Sequence, residues 1–324
     1  MTTYRVSFEI VSSVRTPFQS DTIFGHLCWA IRFLFGEEKL RKWLEEFPSS
    51  PTLLSNAFPE KLFPRPLCRP LPPKKASEQF PSAPEKLDID FLIKRKKIKK
   101  INFISENWFW ENQHHLSPSI LLSHLSAIDE ESEMDIKTEN LLISHNRFNR
   151  NTGRADEGGL YDFEEIFYAK KNKNRLNMWF LIKTQTLSKD EIEKILSYLE
   201  WNGFGADNSS GKGVIKILKL EEFIIPSCPQ ANAVISLANF YPSSPECLNG
   251  YYNILTKFGK LGGTFASGYN PFKKPLIMVE AGALILDSNY TPDKHYGSLV
   301  NDVHTNSAIK HYGYAFPIPV HYEE

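Results

Sequence analysis

The residues best suited to hold a ligand lie in one glycine-rich stretch at positions 201–214, WNGFGADNSSGKGV. Its glycines allow positive φ angles and a close approach to an anion, and Lys212 adds one positive charge. Short polar side chains supply further hydrogen-bonding groups. The candidate contacts in this loop are Gly205, Ser209, Ser210, Gly211, Lys212 and Gly213.

A nucleotide-hydrolase loop is the nearest familiar phosphate cradle, and this stretch does not fit it. That motif needs four residues between its first glycine and its Gly-Lys pair, followed by a Ser or Thr that binds magnesium. Here five residues separate Gly205 from Gly211, and Gly213 follows Lys212. Two interpretations of this stretch remain open: a loop that binds a polar ligand, and a flexible turn between a helix and a strand.

A second polar stretch at residues 144–161, SHNRFNRNTGRADEGGLY, interleaves arginines with amide side chains. Guanidinium and amide donors on a flexible, glycine-bearing backbone suit contacts to phosphates and sugar hydroxyls. We therefore predict a nucleic-acid contact here. The candidate residues are His145, Asn146, Arg147, Asn149, Arg150, Thr152, Gly153 and Arg154.

Two further elements leave alternatives open. The run Lys94–Lys100, KRKKIKK, is either a solvated face or a protruding β-hairpin against which an RNA backbone can lie, through Lys94, Lys96 and Lys97. The stretch at residues 257–271, KFGKLGGTFASGYNP, predicts either another RNA-facing loop or a series of β-turns.

The elements that position these residues follow from local patterns. Alternating apolar residues predict strands, and a capping box at Ser188 and Glu191 predicts the start of a helix. Gly25, inside the first helix, suggests that another segment approaches closely. A proline-rich insertion at about 48–175 separates two strand–helix units, so we predict a split βαβ or ferredoxin-like sheet. The predicted elements are strands Tyr4–Ile10, Met178–Thr184 and Val214–Leu220, and helices Asp21–Phe35 and Ser188–Trp201.

Composition limits the function classes. The chain has 324 residues, enough for two domains, and its 38 basic and 38 acidic residues leave no net charge, so any affinity for nucleic acid must come from local patches. The four cysteines show no metal-ligand spacing, and no apolar run approaches the ~18 residues of a membrane span. We expect a cytoplasmic protein without metal or cofactor, with domains at 1–222 and 223–324, the second smaller and β-rich.

Four passages carry a resemblance to a known family. They are SDTIFGHLCWAIR at Ser20–Arg32, AFPEKLFPRPL at Ala57–Leu67, NRNTGRADEGGLY ending at Tyr161, and the GFGADNSSGKG loop together with HYGYAFPIP near the C-terminus. The chain resembles the RAMP proteins of CRISPR systems, and among them the type III-A (Csm) effector subunit that caps the 5′ handle of the guide RNA (crRNA).

This resemblance implies an α+β fold of two ferredoxin-like (RRM-like) domains, the first with the long irregular insertion. It implies a non-catalytic subunit of an antiviral ribonucleoprotein that grips the crRNA 5′ handle with Ser20, Asp21, the passage at 149–159 and the loop ending at Lys212 and Gly213. The implied partners are the large polymerase-like subunit and the backbone RAMP subunit, with target RNA reached only indirectly.

The alternative function is a RAMP-type endoribonuclease acting on repeat RNA, which would need a histidine near a second titratable group. His26 and His145 are the candidates near the proposed RNA elements. His26 lies in an apolar helix, which favours a structural role. His145 adjoins Asn146 and Arg147, which favours RNA contact over catalysis.

Overall fold

The computed structural model describes residues 1–71, 96–128, 136–170, 175–268 and 270–324. The α-helices are α1 (Ser20–Phe35), α2 (Glu37–Glu46), α3 (Glu106–Asn112), α4 (Pro118–Ala127) and α5 (Lys189–Asn202). The first-half strands are β1 (Thr2–Ile10), β2 (Leu53–Leu54), β3 (Phe58–Pro59), β4 (Leu62–Pro64), β5 (Phe103–Ser105), β6 (Ile136–Asn149), β7 (Arg154–Lys170), β8 (Asn177–Thr184) and β9 (Ile215–Glu222). The second-half strands are β10 (Ala233–Ser236), β11 (Gly250–Tyr251), β12 (Ile254–Lys257), β13 (Leu276–Val279), β14 (Leu284–Leu286), β15 (Gly297–Val300), β16 (His311–Tyr314) and β17 (Pro317–Val320).

The first sheet is organised around β1. Its order is β2-β8-β1-β9, and every pairing along that path is antiparallel. Along the chain β1 leads to α1 and the edge strand β2, and β8 leads to α5 and β9, which is the predicted succession of strand, helix, insertion, strand, helix and strand. The alternation in β1 also holds, because Val6, Phe8 and Ile10 are buried whereas Ser7 and Glu9 are partly exposed.

Helix α1 carries one correction to the sequence prediction. It begins at Ser20 and ends before Gly36, whose φ of 91° no longer fits a helix. A Cβ atom at Gly25 would meet no heavy atom within 4 Å, so the predicted close approach at this glycine is wrong.

The insertion between α2 and β8 contains the short strands β2–β5, helices α3 and α4, and a long hairpin of β6 and β7. The hairpin base is bonded to the loop after β1 through two backbone hydrogen bonds between Val14 and Ile166, of 3.0 and 2.8 Å. The polar stretch at 144–161, expected as a flexible loop, is the outer part of this hairpin, where the pairing register shifts between Asn146 and Phe148. Residues 96–100 of the basic run are helical, so the β-hairpin predicted there is wrong for these residues, and Lys94 lies outside the described residues.

The second half repeats the strand order of the first with little helix. Its main sheet has the order β11-β14-β10-β17, again antiparallel. In the described residues after 222, the helical segments are short 3₁₀ turns and none is an α-helix. The regular secondary structure in the described part of the second half is therefore mainly β-strand.

One hydrophobic core includes residues from both halves. The Phe24 ring of α1 lies 5.2 Å from the Tyr312 ring of β16 and 5.6 Å from Trp43 of α2, measured between centroids. The Tyr314 hydroxyl donates to the Phe47 carbonyl at 3.2 Å. The two halves are therefore packed against each other through aromatic side chains. None of the helices in the described part of the chain has the length and apolar character needed to cross a membrane.

Candidate nucleic-acid interface

The glycine loop folds back on itself through Gly213. The Gly213 N–H donates to the Ser13 carbonyl at 2.8 Å, and its own carbonyl accepts from the Phe204 N–H at 2.8 Å. A Cβ atom at Gly213, where φ is 67°, would lie 1.8 Å from the Phe204 oxygen. Only glycine fits at this position, because both the φ angle and the close backbone approach exclude a side chain.

His26 holds the other end of the loop. The Gly205 N–H donates to His26 Nε2 at 2.8 Å, and the imidazole ring stacks on the Phe204 ring at 4.7 Å. Burial lowers the pKa of His26 to about 4, so the ring is neutral at physiological pH and can accept this bond. The expected structural role of His26 is consistent with these contacts.

A buried carboxylate in β7 joins the glycine loop to the hairpin. Glu165 is fully buried, and its Oε2 accepts from Lys212 Nζ at 2.8 Å and from Ser13 Oγ at 2.6 Å. Its Oε1 lies 3.2 Å from His145 Nε2. Burial alone would raise the pKa of Glu165, but the contacts with Lys212, Ser13 and His145 outweigh it and hold the pKa below its ordinary value.

This network brings together the two stretches that the sequence analysis identified as ligand contacts, residues 201–214 and 144–161. It also gives Lys212 an anchoring contact, because its ammonium group is held by Glu165 and its side chain is only 22% exposed. The tip of the loop, at Ser209, Ser210 and Gly211, is exposed. Lys212 therefore stiffens the junction from which that tip projects.

Aromatic rings and a cation line the hairpin face that carries Glu165. Strand pairing sets His145 opposite Tyr161, and alternation puts Phe163 on the same face. The Tyr161 and His145 rings stack at 5.7 Å, with Tyr161 44% exposed. The Arg15 guanidinium lies 3.4 Å from the Phe163 centroid and forms an ion pair with Asp207 of the glycine loop. Such a row of rings with a cation can stack unpaired bases.

Sequence reasoning missed Arg15, Tyr161, Phe163 and Glu165. The alternating aromatic residues at 161, 163 and 167 carried a usable strand signal. No sequence pattern indicates the contact with Arg15, because that contact depends on tertiary packing between distant parts of the chain.

The far end of the hairpin presents the predicted arginine–asparagine set to solvent. Arg150 and Arg154 are exposed there, and Gly153 takes a φ of 65° at the turn. Asn149 is half-buried, because its Oδ1 accepts from the Asn151 and Thr152 N–H groups at 3.0 and 3.3 Å. The exposed candidates are Asn146, Arg147, Arg150, Thr152, Gly153 and Arg154.

Comparison with known proteins decides the family. A family model for the RAMP superfamily matches residues 10–216, more than half of the chain. The chain belongs to the RAMP superfamily. A search among curated protein sequences found no match.

Solved structures similar to this RAMP protein show the same fold. A chain in the crystal structure of a Csm1–Csm4 cassette with AMPPNP is 16% identical, with 99% of each chain covered and a TM-score of 0.58. A chain in the crystal structure of a Csm3–Csm4 subcomplex of the type III-A CRISPR-Cas interference complex is also 16% identical, with 99% of this chain and 100% of that chain covered and a TM-score of 0.57.

The remaining predicted contacts of this RAMP protein lie elsewhere. Ser20 is fully buried, with its N–H donating to Asn56 Oδ1 at 2.9 Å and its Oγ donating to the Asn239 carbonyl at 3.3 Å. Asp21 is ion-paired with Lys257 at 2.9 Å. Both residues thus join the two halves and are not presented to solvent.

Of the three candidate lysines in the basic run, Lys96 and Lys97 are described and are exposed on a short helix. That helix is held by Arg65, whose Nη1 donates to the Ile98 carbonyl at 2.8 Å. No cluster of His, Cys, Asp and Glu suited to a metal ion occurs among the residues that the structure describes.

Proposed function

We propose that this RAMP protein is a non-catalytic RNA-binding subunit of a type III-A CRISPR interference complex, where it binds the crRNA 5′ handle. The observation that carries the proposal is the Glu165 network. It fixes the glycine loop beside a hairpin face that bears stacked rings, with arginines at the hairpin end. Rings for bases and cations for phosphates are the two parts of a single-strand binding surface.

The partner assignment belongs to the same proposal. The subunit bridges the large polymerase-like subunit to the backbone RAMP subunit in the cytoplasm, and meets target RNA only through them. Its support is that similar folds occur in a Csm1–Csm4 cassette and in a Csm3–Csm4 subcomplex.

We also propose that the protein is built from two ferredoxin-like domains divided near residue 222. The support is topological, because the strand order 2-3-1-4 of that fold recurs in β2-β8-β1-β9 and in β11-β14-β10-β17. The second sheet reaches this order without the α-helices of the first.

RNA binding is tested with Arg150→Ala/Arg154→Ala, since both side chains lie on the exposed hairpin end. The assay is fluorescence anisotropy with a single-stranded RNA of the repeat-derived 5′ sequence, titrated over a range of salt concentrations. Each lost phosphate contact should reduce the slope of log K against log salt by about 0.7. Lys189→Ala, an exposed lysine at the start of α5, is the matched control. An unchanged slope and affinity in the double variant would refute the proposal.

One observation favours a second candidate, the repeat-RNA endoribonuclease. His145 is paired with the buried Glu165, and Lys212 Nζ lies 2.8 Å from the same carboxylate, which resembles an oriented general base beside a cation. The purified protein is incubated with repeat RNA, and the products are separated by electrophoresis. Cleavage that disappears in His145→Ala would establish this function. Intact RNA under conditions in which it is bound would exclude it.

A further inference from the structure

An exposed apolar groove lies between α1 and α5, apart from the glycine loop's network. It has a volume of about 590 Å³ and is lined by Leu34 of α1 and by Tyr198 and Trp201 of α5, among others. Trp201 is 85% exposed and the neighbouring Phe33 is 60% exposed. Large apolar side chains grouped in this way mark interaction sites more often than chance exposure does.

A row of ring contacts extends this groove across the protein. Tyr198 stacks on Phe33 at 5.9 Å, Phe33 on Trp29 at 5.6 Å, and Trp29 contacts Phe265 of the second half at 5.7 Å. We call this surface, from Trp201 to Phe265, the helix groove. Because it spans both halves of the chain, a partner lying along it would contact both at once.

Charge and side-chain type identify the class of occupant. Asp190 and Glu193 line the groove with a single basic residue, Lys194, and α5 as a whole carries four acidic and two basic residues. Carboxylates repel a phosphate backbone, and the aliphatic side chain of Leu34 has no face on which a base can stack. A protein segment with apolar residues and Lys or Arg complements this surface in both respects.

We propose that the helix groove is the docking surface for a basic amphipathic segment of a partner protein subunit, with Trp201 as the anchor at one end. The inference rests on the proposed function, which supplies two candidate subunits. A tryptophan can carry a large share of the binding energy of an interface, and an Arg or Lys of the partner can lie over its ring.

The test uses the full chain co-expressed separately with the large polymerase-like subunit and with the backbone RAMP subunit of the proposed complex. The dissociation constant of each pair is measured by calorimetry for the wild type, Trp201→Ala and Asp190→Lys/Glu193→Lys. Ile224→Ala is the matched control, since Ile224 is 88% exposed and does not line the groove. The thermal midpoints of Trp201→Ala and Ile224→Ala should match that of the wild type, because both side chains lie at the surface.

We expect Trp201→Ala to weaken one of the two pairs by about 30-fold or more, and the charge reversal to weaken the same pair, whereas Ile224→Ala does neither. Wild-type affinity of Trp201→Ala for both subunits would overturn the docking surface and leave the proposed function intact. A loss confined to RNA binding would also overturn it, in favour of a base-stacking role. If the wild type binds neither subunit, the proposed bridging function fails and the docking surface fails with it.

Discussion

Replacing Lys212 with alanine tests whether the Glu165 network holds the glycine loop to the hairpin. The substitution leaves Glu165 fully buried with only Ser13 and His145 as partners. A buried carboxylate that loses its cation must either remain charged in a poorly solvated site or take up a proton.

The expected loss of stability is moderate. Breaking a buried ion pair from one side typically costs about 3–5 kcal/mol, but Lys212 is partly exposed and Glu165 keeps two hydrogen bonds, so we expect about 2–3 kcal/mol. Glu165→Gln removes the charge and should cost about 1–2 kcal/mol. The double variant should be less destabilised than the sum of the two by about 1–2 kcal/mol, because it leaves no unpaired buried charge.

The loss of stability caused by Lys212→Ala should also depend on pH. The pKa of Glu165 lies below its ordinary value of 4.5 in the folded protein, so its stabilising contribution is present above that value and is lost as the pH falls through the folded-state pKa. In Lys212→Ala the main favourable partner is gone, so protonation relieves the buried charge at higher pH. The stability difference from the wild type should therefore shrink between pH 7 and pH 4.

Equilibrium urea unfolding, followed by tryptophan fluorescence at several pH values, measures these differences. The control is Lys219→Ala, which removes an ion pair with Glu221 in which both side chains are exposed and should cost less than about 1 kcal/mol. Strictly additive single-variant effects, or a Lys212→Ala penalty equal to that of the control at every pH, would refute the role assigned to Glu165.

Three further predictions address other parts of the molecule. Gly213→Ala should lower the free energy of unfolding in urea by at least about 2 kcal/mol, because Gly213 has a φ of 67° and contacts a backbone carbonyl. Gly211→Ala should cost about 1 kcal/mol, because Gly211 has a φ of 84° but open space around it. Equal losses would contradict the close backbone approach assigned to Gly213. Tyr161→Ala should weaken RNA binding by about 1–3 kcal/mol in anisotropy titrations, whereas Leu160→Ala, on the opposite hairpin face, should have no effect. Asp21→Asn should speed limited proteolysis between the two halves by weakening the bond to Lys257, and an unchanged digestion rate would count against that junction.

Local patterns predicted β1, β8 and β9 of the first sheet because the information lies within each of these strands, whereas they did not predict the short strands β2 and β3. Alternation in β1 follows from one face of a strand being buried, and the capping box of α5 forms between Ser188 and Glu191 as expected. These patterns gave the succession of elements along the chain, whereas the order of strands in the sheet comes from the structure.

The site required contacts that no local pattern carries. Glu165 lies 47 residues from Lys212 and 152 from Ser13 in sequence, so its three partners are assembled only by the fold. The sequence predicts a flexible loop at the outer hairpin, whereas the structure has two strands. Both faces of these strands are exposed to solvent, so their sequence lacks the apolar alternation that identifies a strand. The family resemblance implied that Ser20 contacts RNA, whereas here its hydroxyl donates to the Asn239 carbonyl of the second half.

The packing of α1 against β16 has a consequence for biosynthesis. Phe24, Trp43 and Phe47 are present in the first 47 residues, but the tyrosines that cover them, Tyr312 and Tyr314, are near the C-terminus. At typical elongation rates the last hundred residues leave the ribosome roughly 5–20 s after the first sheet is complete. During that interval the nascent chain exposes an aromatic surface, so its yield in the cell should depend on chaperones that bind it until translation ends.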